Sequence, residues 1–234
     1  MSETYRLRLG GFSGVILAVM LIVGFALDFA IIFTTRGQPL LNAENISADL
    51  LRAEGSTVWL VEAWVYTLMV VPVPPFMLAI YWILRAENDR GLPAVGLFAS
   101  ALFWIFHTLH NLSMLTVVQD LVPRYVVAPQ ESRLAIEAVA TALLGFANAA
   151  FNIGKGVGAL FFVGSLAAFG GATLLTSRLP RWTGYLALAA SFLGLLAYLQ
   201  FISEVFVFVG LLGWVLQIVW VIAMTVGLLR SSSS

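Results

Sequence analysis

The chain contains no cysteine. That excludes disulfides, thiolate metal centres and cysteine nucleophiles, and it leaves the redox compartment open. Charge is nearly as scarce: 10% of the 234 residues are charged, against roughly 25% in soluble domains. Twelve basic residues balance twelve acidic ones. A formal net charge of zero argues against nucleic acid as a partner. No Walker, Rossmann or kinase glycine loop is present. Nor is there a Gly-x-Ser-x-Gly or Ser–His constellation, which counts against a serine hydrolase. No internal repeat stands out.

Apolar residues fill the space that charge leaves. Hydrophobic side chains make up 61% of the chain, and its mean hydropathy is +0.97. Several runs of about 20 apolar residues follow one another, so the solvent is the bilayer. The first lacks a small-residue cleavage site and reads as a retained span. The expected fold is an all-α, polytopic membrane bundle in one domain, with short extracytoplasmic surface helices. Six spans are placed at about residues 12–34, 57–84, 92–119, 148–176, 182–202 and 206–229. In the second, Val71-Pro72-Val73-Pro74-Pro75 removes backbone donors, so the helix must kink or break. A broken helix is a feature of transport pathways and also of plain structural kinks.

Two loops have their own signals. Ile46, Leu50 and Leu51, with Asp49, Arg52 and Glu54, suggest a short amphipathic helix on the membrane surface. Residues 120–133, with Pro123 and Pro129, read as a loop. Residues 131–177 are ambiguous. They form either two spans meeting at Asn152-Ile-Gly154-Lys155-Gly156, or an Ala-rich surface helix at about 131–147 followed by one span. Charge decides between them. Six spans put Arg6, Arg8, Arg85, Arg90, Arg178, Arg181 and Arg230 on one side. Glu44, Asp49, Glu54, Asp120, Glu131 and Glu137 then lie on the other. The basic side is read as cytoplasmic, with both termini there. Trp182, Trp59 and Trp64 suit interfacial belts. Gly164, Ala168, Gly170 and Gly171 make close helix packing an expectation for the fourth span.

The order of these features resembles a bacterial family of six-span membrane proteins known only as a domain of unknown function. The likeness begins with Arg8-Leu-Gly-Gly-Phe12 entering the first span and the amphipathic segment before the second. It continues with Gly158-Ala-Leu-Phe-Phe162 ahead of Leu174-Leu-Thr-Ser-Arg178-Leu-Pro180-Arg181-Trp-Thr-Gly184. It covers nearly the whole chain and implies fold, topology and a bacterial inner membrane. It implies no activity.

Both histidines lie in one stretch of the third span, Phe103-Trp-Ile-Phe-His107-Thr-Leu-His110-Asn111-Leu-Ser113. Residues 107, 110, 111 and 114 share a helix face. Ionisable groups inside a membrane are expensive, so their default reading is an inward-facing site. At about 1.5 Å per residue, Asp28, Glu62, His107, His110 and Asn111 reach a similar depth. Asn148, Asn152 and Lys155 reach it from the fourth span, and Gln200 and Glu204 flank the turn between the last two. The expectation is a polar pocket in the outer third of the bilayer, binding or moving a small molecule or ion.

Alternatives stay open. Imidazoles with a carboxylate suit a divalent metal, so His107, His110 and Glu62 are candidate ligands of an intramembrane hydrolase. Haem is disfavoured, because histidines on one helix face cannot supply opposite axial ligands. Lys155 invites a retinal Schiff base, but it lies at a span's end among glycines. The polar groups also serve simply as interhelical glue. An accessory subunit of a larger membrane complex is a further reading.

Overall fold

The computed structural model describes residues 2–34, 46–54, 56–87, 91–151, 156–203 and 205–232, and every regular element among them is a helix. Asn152, Lys155 and Glu204 lie outside the described residues, as do Glu44 and Arg90. In order, the helices are α1 (Glu3–Thr34), α2 (Ile46–Ala53), α3 (Thr57–Leu68), α4 (Val73–Arg85), α5 (Leu92–Thr116), α6 (Val122–Val127), α7 (Gln130–Ala150), α8 (Val157–Leu174), α9 (Arg181–Leu196) and α10 (Val205–Ser231). Seven helical stretches, with α3–α4 and α5–α6 each counted as one, are long and apolar enough to cross a membrane. The chain is a multi-pass membrane bundle.

Local chemistry explains the interruptions. Pro72, Pro74 and Pro75 offer no N–H to the preceding turn, so α3 stops at Leu68 and α4 restarts at Val73. Two prolines then occupy the first turn of α4, where a missing donor is harmless. Gly91 caps α5 with φ of 79°, a left-handed conformation that costs glycine little. Residues 120–133 are not the expected loop. Pro123 takes away the donor that would serve Gln119, and the backbone responds with a π turn over Val117–Leu121, in which Val122 N–H bonds to Val117 O. The helical path then runs on through α6. The Leu92–Val127 rod has 36 residues, or about 54 Å at 1.5 Å per residue, well beyond a hydrocarbon core of about 30 Å.

The expected span at 148–176 is also redrawn. Residues 148–150 end α7, and α8 begins at Val157. The alanine-rich helix expected at 131–147 therefore extends to Ala150, and with a mean hydropathy of 1.3 it is the least apolar of the seven stretches. Both helices run antiparallel to the α5–α6 rod, one after the other. Tyr125 bonds to Glu137 and His110 to Ala147, while further down Phe103 meets Phe162 and Ser165 bonds to Gly96. The helices α7 and α8 thus share one descent of the bundle.

Two hydrophobic cores result. The larger joins α1, α4, α5, α8, α9 and α10 around Phe76, Phe169 and Trp220. The smaller gathers Leu50, Trp59, Val117, Val122, Tyr125, Ala140 and Leu144. Trp59 is buried in this second core, not set in an interfacial belt, whereas Trp64 and Trp182 are exposed. The amphipathic helix expected near Ile46 is α2, and its Leu50 and Asp49 are both buried.

The far end of the larger core is basic. Arg178 pairs with Glu3 at 2.5 Å and lies 3.6 Å from Glu87, and Arg6 stacks on Trp82. Close backbone approach marks this end. A Cβ on Gly170 would lie 2.9 Å from the Gly184 carbonyl, and one on Gly10 would overlap Ala79. The expected packing role of the fourth-span glycines holds for Gly170. Gly164 faces open space, and Gly171 meets only Leu92.

Candidate functional site

A cavity of about 370 Å³ separates the two cores. Its walls come from α1, α3, α5, α7, α10, the π turn and the 3-10 turn Ala197–Phe201. Asp28, Glu62, His107, His110, Asn111, Asn148 and Gln200 all line it. Helix geometry explains the convergence. Glu62 and Tyr66 lie one turn apart on α3, as do His107 and Asn111 on α5. Asp28 sits where α1 passes α3, and Tyr66 donates to Asp28 Oδ2 at 2.5 Å. Glu62 lines the same space beside Asp28.

His107 is 3% exposed and Asn111 5%, while Asn148 is exposed. Asn111 Nδ2 bridges the His107 carbonyl at 2.8 Å and His107 Nδ1 at 3.0 Å. Accepting at Nδ1 leaves the imidazole proton on Nε2. Tyr66, Trp104 and Phe151 surround that ring with centroids 4.8–5.8 Å away. His110 is oriented the other way: its Nδ1 lies 2.9 Å from the Ala147 carbonyl and must carry the proton there.

These bonds bear on the metal reading. Among the described residues, no three of His, Asp and Glu come close enough to hold one ion. His107, His110 and Glu62 line one cavity without forming a ligand set. His107 engages one ring nitrogen with Asn111 on its own helix, and His110 one with the Ala147 carbonyl on α7. Asn152, Lys155 and Glu204, also expected at this depth, fall outside the described residues.

The aromatic half of the lining was not anticipated. Phe25, Trp59, Tyr66, Phe151 and Trp214 face the cavity together with Met114, Val118 and Leu144. Tyr66 was legible as the residue one turn after Glu62 on the same face. Trp214 was legible in the same way, one turn before Gln217, a polar and buried residue of α10. No protein-family model, curated protein or solved structure matches the chain.

Proposed function

We propose that this membrane protein binds a small molecule in the cavity between its two cores. One observation carries the reading: polar and titratable groups from α1, α3, α5 and α7 converge on an unfilled space of about 370 Å³. Polar groups that served only as glue would close on one another. Asp28 and Tyr66 do pair, as do Asn111 and His107, yet the space beside them stays open. Its size is that of a small-ligand pocket, about 300–1,000 Å³.

Movement of the ligand fits the same architecture. The helix α3 carries Trp59, Glu62, Ala63 and Tyr66 of the lining and is separated from α4 by the proline break. A short helix on such a break is able to swing a cavity wall while α4 stays packed. The excess of arginine at the Glu3–Arg178 end supports a cytoplasmic position for that end by the positive-inside rule, with the cavity toward the opposite side. It is also the orientation expected if the chain belongs to the six-span bacterial family proposed from its sequence.

The test is a saturable-binding screen on the full chain in lipid nanodiscs, with Ala63→Trp as a variant whose cavity is filled. Ligands that raise the melting temperature of the native protein but not of Ala63→Trp support the site. Hits that bind both proteins equally place binding elsewhere and refute it. Because the chain has no native cysteine, orientation is tested with one cysteine at Asn88. It resists an impermeant thiol reagent in intact cells if the basic end is cytoplasmic.

A further inference from the structure

We infer that the ligand of this cavity is an organic cation, an ammonium-type group carrying an apolar body. The inference rests on the cavity being a binding site, as proposed above. Among the described residues, the charged groups lining it are two carboxyls, Asp28 and Glu62, with no arginine or lysine beside them. Charge interactions strengthen where water is sparse, so two acidic groups in one cavity bias it against anions and toward positive charge.

The rest of the lining selects the kind of cation. Trp59, Tyr66, Phe25 and Trp214 present aromatic rings to the same space. Ring faces attract a poorly hydrated cation, best when it is shielded from water. A hard inorganic ion asks instead for about six or more oxygen ligands, and no three ionisable ligands gather here among the described residues. Carboxyls on one side and rings on the other suit a diffuse positive charge attached to hydrocarbon. The volume of about 370 Å³ has room for such a body and excludes a large polymer.

The experiment compares three probes of similar shape on the full chain in nanodiscs: phenyltrimethylammonium, its uncharged isostere tert-butylbenzene, and benzenesulfonate. The cation is expected to bind about tenfold or more tightly than the isostere, as a cation–π and carboxylate site requires. The sulfonate is expected not to saturate. Asp28→Asn with Glu62→Gln should erase the preference while tert-butylbenzene still binds, since the amide that replaces Asp28 keeps an acceptor for Tyr66 and both substitutions remove charge from an apolar setting. Equal affinity for cation and isostere, or a preference that survives the double substitution, overturns the cation inference and leaves a binding cavity in place. Saturable binding of none of the three also overturns it. Probe binding that persists unchanged in Ala63→Trp refutes the cavity itself.

Discussion

The two ends of the bundle solve opposite problems. At the basic end, helices pack closely over glycines: Gly170 against the Gly184 backbone, Gly10 against Ala79, Gly96 against the Phe169 ring. The carboxylate of Glu87 is met by Thr176, by Ser177 twice, and by Arg178. At the other end, large side chains hold the helices apart, and polar groups face a space. Tight packing without lipid-excluding pressure needs small residues and close dispersion contact. An open polar cavity forgoes that contact along its lining. The first end is built for rigidity, and at the second some stability is given up for an accessible interior.

Substitutions that exchange volume for polarity break the comparison most sharply. Gly170→Val sets a Cβ 2.9 Å from the Gly184 carbonyl and 3.1 Å from the Ala187 Cβ, with two further methyl groups to accommodate. It is expected to cost about 1–3 kcal/mol, read as a lower melting temperature in nanodiscs. Gly145, where an added Cβ would meet nothing within 4 Å, is its control: Gly145→Ala should gain about 0.5–1 kcal/mol from helix propensity. A large loss at Gly145, or none at Gly170, would erase the contrast. Next in size is Asn111→Ala. It strips the buried His107 Nδ1 of its donor, at about 1–3 kcal/mol, while Ala63→Phe in the same cavity is expected to be tolerated.

Tyr66→Phe removes one hydrogen bond to Asp28. Interhelical bonds of this kind average about 0.6 kcal/mol in membranes, so the expected loss is small and should vanish on the Asp28→Ala background, which has no acceptor. Smallest is Glu87→Gln at the basic end. Hydrogen bonds from Thr176 and Ser177 hold the Glu87 carboxyl below the usual carboxylate range. A depressed folded value stabilises above the unfolded pKa, and the gain is lost as pH falls through the folded one. The native protein should therefore exceed Glu87→Gln in stability at neutral pH, and the difference should close as acid protonates Glu87. A gap that widens in acid contradicts the assignment.

Much of this was readable from residue order, and the reasons differ by region. Long apolar runs announce membrane helices because the bilayer sets their length. Asp28, Glu62, His107 and Asn111 were findable because polarity at depth is rare and helical rise is constant. Pro72–Pro75 marked a break for the same local reason that makes it one. Pro123 misled: read alone it signals a loop, and only the π turn that absorbs it shows the helix continuing to Val127. Trp59 misled in the opposite sense, since an interfacial tryptophan and a cavity-lining one have the same sequence context near a span's end. The join of α7 and α8 along one descent rests on contacts with α5–α6, and composition carries no trace of those.

The rod made by α5, the π turn and α6 runs through both cores, and its length gives it leverage. From the Gly96 seam to Val127 it runs about 47 Å at 1.5 Å per residue, so a tilt of about 5° there carries the far tip sideways by about 4 Å. Helices longer than the hydrocarbon layer adjust to bilayer thickness by tilting. Because the cavity wall at His107, Asn111 and Val118 rides on this rod, the thickness of the surrounding lipid is a mechanical input to the shape of the cavity.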